Sequence, residues 1–381
     1  MNRDLIIISM ALFTWGVGEG AYFIFQPLYL KEFGASSIEI GAILGAVGIA
    51  MGVVHIPAGY LADRIGRRGL MWASWVMGLL AAWLMALANT LPLFVTGMIL
   101  YGITAFVMTP MNSYVTAASG KLSAGRTLTM ISATYNLGAF IGPFVGGYIG
   151  DHYGLQKTYL FAACVFGVSN LLIFALSAQP VLPHEPGTYK TLFNNRAYRA
   201  YLGIILAVCF AAYLPQPLTP NFMQDVHGLS YTAVGWAGSA GSLGNAVLNL
   251  IFGAFNPQLG FLVGQVAVAL AALIFWQANG LPWFMLGYFV MGGFRVTRAL
   301  AIAQIQTVIS PVNMGLAYGI TETFSAISLI LVPPLAGLIY TWQPAAIYPI
   351  SILLIGFAIL ISVRFSPAIH RKKDERAHMP A

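Results

Sequence analysis

The chain has 381 residues, of which 59% are hydrophobic and only 8% charged, with a formal net charge of +7 and 41 glycines. Charge this sparse, at a mean hydropathy of +0.79, excludes a water-soluble globular domain, and a basic excess in such a chain sets topology rather than binding nucleic acid. What composition leaves is an integral membrane protein whose surroundings are the lipid bilayer.

Apolar stretches long enough to cross a hydrocarbon layer of roughly 30 Å as helices recur in chain order over residues 5–30, 36–62, 69–90, 92–118, 125–149, 156–178, 199–224, 230–255, 260–279, 282–308, 315–340 and 344–364. Twelve spans are therefore expected. The first, flanked by Arg3, continues through GEGAYFIFQPLYL without a small-residue cleavage site and reads as a retained helix. With both ends of the chain on the cytoplasmic side, Arg3, Arg64, Arg67, Arg68, Lys121, Arg126, Lys190, Arg196, Arg199, Arg364, Arg371, Lys372, Lys373 and Arg376 lie inside, against Lys31 and Lys157 outside. That asymmetry predicts a multi-pass protein of the cytoplasmic (inner) membrane with both termini in the cytoplasm. Cys164 and Cys209 fall inside spans and suggest neither a disulfide framework nor a metal site; no cofactor is expected.

The longest polar break, AQPVLPHEPGTYKTLFNNRAYR, divides the spans six and six. The expected organisation is an N-terminal six-helix bundle (1–178), a cytoplasmic linker (179–198), a C-terminal six-helix bundle (199–365) and a basic cytoplasmic tail (366–381). Gly34, Gly41, Gly59 and Gly66 recur 194 positions later as Gly228, Gly235, Gly253 and Gly260. At a shift of 190, Gly102, Pro143 and Gly147 recur as Gly292, Pro333 and Gly337. Two ordered blocks point to a parallel internal repeat.

Between the second and third spans stands GYLADRIGRRG, residues 59–69, which resembles the G-x-x-x-D-R-x-G-R-R signature of the major facilitator superfamily. With twelve spans, a duplicated half and a central linker, the resemblance covers essentially the whole chain. It implies an all-α fold of two pseudo-symmetric six-helix bundles around a central cavity, a transporter rather than an enzyme, and a monomer driven by a solute or ion gradient. It also implies a conformational latch at Gly59, Asp63, Arg64, Gly66, Arg67 and Arg68, with Asp63 facing the N-terminal end of the eleventh helix near Gly315. The second half has Pro257 at the Asp position, so the latch is one-sided. GAFIGPFVGG, residues 138–147, is similar to the family's antiporter-associated G-x-x-x-G-P-x-x-G-G pattern and reads equally well as simple helix packing. Thr129 stands where a further glycine is expected. Met98 replaces an arginine common in proton antiporters.

Four ionisable residues sit well inside spans: Glu19, Arg295, Arg298 and Glu322. Each is costly in hydrocarbon, by roughly 2.5 to 3.5 kcal/mol on insertion scales, so each should face a cavity or a partner. Arg295 and Arg298 share a face of the tenth span, one of the four that the resemblance places around the cavity. An arginine pair there suits a carboxylate or phosphate on a substrate; the alternative is a neutral network with Glu19 and Glu322. Glu19 lies on the stripe Trp15, Glu19, Tyr22, Gln26, and both Glu19 and Glu322 are candidates for proton coupling. The stripe's counterparts in the seventh span include Tyr213 and Gln216; Asn112, Tyr135 and Asn136 complete the candidate substrate contacts. The function expected is proton-coupled, alternating-access transport of a small organic solute with an anionic group. Proton-driven efflux of drugs or lipophilic cations is the alternative, and a non-transporting sensor a remote one.

Overall fold

In a computed structural model, which describes residues 3–120, 124–179, 194–253, 256–305 and 314–365, the chain is helical throughout those residues apart from short turns. The helices are α1 (Arg3–Phe23), α2 (Gln26–Glu32), α3 (Ser37–Ile65), α4 (Arg67–Ala86), α5 (Leu91–Ile103), α6 (Met108–Ala117), α7 (Ala124–Tyr153) and α8 (Leu155–Ile173). In the second half follow α9 (Arg196–Tyr213), α10 (Thr219–Asp225), α11 (Tyr231–Gly253), α12 (Pro257–Gln277), α13 (Leu281–Met291), α14 (Gly293–Ile305), α15 (Met314–Trp342) and α16 (Ile347–Phe365). Among the described residues, nine segments are long and apolar enough to cross a membrane. The helices α7, α11 and α13–α14 occupy the other three expected spans.

The expected first, fourth, seventh and tenth spans are not continuous. The first breaks between Phe23 and Gln26; the fourth tightens to a 3-10 turn at Thr104–Val107. The seventh unwinds between Tyr213 and Thr219, where Pro215 and Pro217 remove two backbone donors, and the tenth restarts at Gly293 after Gly292. In hydrocarbon, broken backbone is tolerated only where protein or water satisfies the freed groups, so these four helices belong on the inside of the assembly. Elsewhere the ends are tight. Gly66 joins α3 to α4 at φ 87° and Gly154 joins α7 to α8 at φ 83°, conformations that a side chain would strain. The break after the sixth span lies earlier than expected, because the helix before it ends at Ile173 and α9 already begins at Arg196, with Asn195 accepting from the Tyr198 amide at 3.1 Å. Arg196 and Arg199 are thus helix residues. The linker between 179 and 194 and the tail beyond 365 lie outside the described residues.

The two halves repeat the same packing. In the first, α1 packs on α7 and α8, and α4 on α8 and α5; in the second, α9 packs on α15 and α16, and α12 on α16 and α13. The halves meet along two seams that are themselves counterparts, α3 with α15 and α7 with α11. Small residues make this closeness possible, since apolar lipid supplies no hydrophobic drive between helices. A Cβ built on Gly41 would stand 2.3 Å from the Pro333 carbonyl oxygen, and one on Gly235 would stand 2.2 Å from that of Pro143. The same reciprocity links Gly337 with Ser37 and Gly147 with Tyr231. The glycine repeat in the sequence is therefore a repeat of contacts.

Candidate functional site

α14 carries Arg295 and Arg298 near mid-span, and packing fixes which way each points. Gly293, Val296, Thr297 and Leu300 are buried, with Gly293 and Thr297 set against Gly264 of α12 and Leu300 against Gly260. The opposite side of the helix is thereby turned toward the middle of the molecule. Arg298 forms an ion pair with Glu322 of α15, each side chain 35% exposed. Arg295 is exposed and forms no ion pair with a described residue.

Glu19 is partly exposed, and the Tyr135 hydroxyl donates to its Oε2 at 2.9 Å. Close by, Trp15 Nε1 donates to the Tyr101 hydroxyl at 3.1 Å. Trp15 stacks on Phe166 with ring centroids 4.1 Å apart and leans on Trp75 at 5.2 Å, so the helix bearing Glu19 is held by a rigid aromatic wall. The second half repeats the arrangement in weaker form. Cys209 and Tyr213 stand where the 194 shift puts Trp15 and Glu19, and Cys209 lies 3.9 Å from Ser325, the counterpart of Tyr135.

The expected site residues divide accordingly. Glu19 and Tyr135 come together within the first half, and Arg298 and Glu322 within the second. Tyr22 does not line a cavity: it is fully buried inside the first half against Tyr159 and Tyr101, because the stripe it shares with Glu19 turns into the helix packing one turn later. Gln26 is buried as well. Gln216, in the unwound stretch of the seventh span, donates to the Ala212 carbonyl of α9, Asn136 donates to Ser132 of its own helix, and Asn112 is exposed on α6. Of the alternative, a neutral network of both arginines with Glu19 and Glu322, the described residues contain one ion pair, Arg298–Glu322. Tyr101 was missed by the sequence reading. Its signal was available, for it precedes by one turn Ala105, the counterpart of Arg295 in the repeat.

Of the expected latch, the side chains of Gly59, Asp63 and Arg64, like the surroundings of Gly315, lie outside the described residues. Arg67 donates to the Ser113 carbonyl and to Gln179, both at 3.3 Å, while Arg68 reaches the Leu176 carbonyl and lies over Trp72. These contacts stay within the first half, beside Asp4, which accepts from Tyr114 at 2.9 Å and from Ser177 at 3.1 Å. The glycine-rich stretch 138–147 serves two packing interfaces: Gly138, Gly142 and Gly146 abut Phe13, Val17 and Ala21 of α1, and Pro143 and Gly147 abut α11.

At the face of the bundle marked by Gly154, the halves are tied together. Lys31 pairs with Asp225, which also accepts from Tyr340, and Tyr231 donates to Glu32. Asp151 accepts from the backbone amides of Tyr231 and Thr232, both at 2.8 Å, so a carboxylate of one half caps the first turn of a helix in the other. Although burial pushes the Asp151 carboxyl upward, bonds from Thr232, Ser230 and Tyr231 outweigh it and hold it below the usual carboxylate range. Along the seam of α3 with α15 the packing is tightest away from Gly66. Along α3 the close approaches to α15 at Gly41, Gly45 and Gly48 end at Gly52, where a Cβ would find its nearest neighbour 3.7 Å away.

Comparison with known proteins places this geometry. A family model described as Major Facilitator Superfamily matches residues 6–215 and 201–380. The quinolone resistance protein NorA of Staphylococcus aureus is 23% identical over 95% of this chain and 96% of its own length. In three dimensions, the structure of a variant of the nucleoside transporter NupG overlays with a TM-score of 0.79 at 13% identity, covering 95% of this chain and 99% of that one. The human organic anion transporter MFSD10 overlays at 0.70 with 15% identity, covering 94% and 99%.

Proposed function

The chain belongs to the major facilitator superfamily, and from that premise we propose a secondary active transporter that carries a small organic solute bearing an anionic group across the cytoplasmic membrane by alternating access, coupled to protons. The observation that carries this reading is Arg295: a permanent cation exposed on α14 of a charge-poor bundle, without an acid in contact among the described residues. An arginine fork in that position matches a carboxylate or phosphate, and its cost in the membrane interior is relieved when an anion arrives. Glu19 and Glu322 are the groups that carry the coupling proton or meet the substrate. Basic residues on the Gly66 side make that side cytoplasmic, so the tied Gly154 face is the outer one. The protein acts as a monomer.

Thermal stabilisation of the purified full-length chain by a panel of organic anions, sugars and lipophilic cations tests this. An anion should raise Tm, and Arg295→Gln should remove the effect while the protein stays folded; a shift that survives Arg295→Gln refutes the reading. Drug efflux is the second reading, favoured by likeness to relatives named for quinolone resistance along nearly the whole chain. It predicts that Glu19→Gln abolishes resistance in cells while Arg295→Gln leaves it.

A further inference from the structure

The helices α9, α15 and α16 form an apolar groove of about 310 Å³, lined from α9 by Gly203, Leu206 and Phe210, from α15 by Leu331 and from α16 by Leu354 and Phe357. It is open at the surface: Leu331 is 53% and Phe357 63% exposed, and a Cβ built on Gly203 has no neighbour within 4 Å. We propose that this groove and the arginines beyond its end, Arg196, Arg199 and Arg364, bind an anionic phospholipid of the cytoplasmic leaflet, one acyl chain in the groove and the phosphate on the guanidinium groups.

Helix register joins the groove to the charges. Arg196, Arg199, Gly203, Leu206 and Phe210 follow one another at intervals of three and four along the continuous helix α9, so they share one face. The rotation of that face is fixed from the other side, where Tyr198 and Tyr201 donate to the Ala317 and Ala301 carbonyls at 2.8 and 3.0 Å. Both arginines are exposed on the outward stripe. On α16, Arg364 stands seven residues beyond Phe357 on the same face and is exposed too. At 1.5 Å per residue the stripe from Gly203 to Phe210 is roughly 10 Å long and Arg199 lies roughly 6 Å beyond it, a reach that fits one leaflet of a hydrocarbon core roughly 30 Å thick. The orientation that the basic residues give the chain makes that leaflet the cytoplasmic one, whose anionic lipids attract arginines. The internal repeat supplies a contrast. In the first half Asn2 and Leu5 stand 194 positions before Arg196 and Arg199, so the packing of the repeat does not require cations there. A topology signal needs basic residues only somewhere on that side; here they stand in line with an apolar groove, so headgroup and chain are met together.

The test uses the full-length protein in detergent, titrated with phosphatidylglycerol and with phosphatidylcholine of the same acyl chains. Bound lipid is read by native mass spectrometry and stability by Tm. Phosphatidylglycerol should bind roughly ten- to a hundredfold more tightly, since each arginine near an anionic headgroup is worth roughly fivefold in affinity. Replacing Arg196, Arg199 and Arg364 together by Gln should remove that preference. Gly203→Phe, whose Cβ meets no neighbour, should keep the lipid-free Tm and weaken phosphatidylglycerol binding by occupying the place of the chain. Equal binding of the two lipids overturns the site, and so does a preference that survives the triple Gln change, which assigns it to other basic segments. Phosphatidylglycerol binding that Gly203→Phe leaves intact overturns the groove as the seat of the chain. Glycerol 3-phosphate that competes at the concentration of the lipid leaves an anion site without a lipid and overturns the proposal as well.

Discussion

Arg295 and Arg298 are neighbours on one helix face, yet contacts give them different energetic roles. Arg298 and Glu322 hold each other, and removing one leaves the other without its counter-charge in a poorly hydrated place. With each side chain about a third exposed, the pair falls between surface and buried bridges, so Arg298→Gln should cost about 1 to 2 kcal/mol. The double change with Glu322→Gln should cost less than the two single changes together, as a double-mutant cycle on Tm would show. Arg295→Gln, which breaks no ion pair, should leave Tm unchanged or raise it while abolishing anion binding. At this scale the sequence identified the charges but not their partners. Spacing of three residues puts two arginines on one side of a helix, and only the packing of that helix settles that Arg298 meets Glu322 while Arg295 meets no described acid.

At the scale of elements, the helices hold together through glycine. Gly146 faces α1 so closely that a Cβ would lie 1.9 Å from the Ala21 carbonyl oxygen, a rigid backbone atom. Gly146→Ala should therefore force α1 and α7 apart and cost about 1 to 3 kcal/mol. Gly203 on α9 has nothing within 4 Å of the same construction. Gly203→Ala should be neutral or stabilising by up to about 1 kcal/mol, the helix propensity gained. Comparing the two Tm values separates packing glycines from permissive ones. The stretch 138–147 was legible as a helix-packing motif, because small residues at intervals of four mark a close contact. That it serves α1 with one face and α11 with another was not legible, since periodicity names a face without naming the helix that covers it.

For the molecule as a whole, the two halves are tied to each other at the Gly154 face. Lys31–Asp225 is exposed enough to contribute little alone. The two amide bonds to Asp151 are charge-assisted and tie the first turn of α11 to the other half. Replacing Asp151 and Asp225 together by Asn should loosen that face, and spin labels at Lys157 and Gln343, both exposed there, should report longer and broader distances than in the parent protein. The pH dependence has a definite sign. A carboxyl held below its usual value stabilises the tied state above that value and loses the contribution only as pH falls through its own lowered one. The Asp151 tie should thus be constant between about pH 5 and 8, well above the ordinary Asp value of about 3.9, and weaken only under strong acid. A distance that changes near neutrality would assign the tie to another group.

Sequence alone determined the membrane class, the positions of the helical segments and the duplicated organisation, because the bilayer imposes apolar length and internal hydrogen bonding on each segment separately. It also singled out Glu19, Arg295, Arg298 and Glu322, since charge in hydrocarbon is rare enough to stand out one residue at a time. The tertiary structure decided that Tyr22 belongs to a packed core and Tyr101 to the surroundings of Glu19. It also decided that Arg298 is paired while Arg295 forms no ion pair with a described residue, and that Asp151 caps a helix of the opposite half. Those facts depend on how each helix is rotated about its axis and which neighbour it meets, and that rotation is set by the summed packing of both halves rather than by any local run of residues.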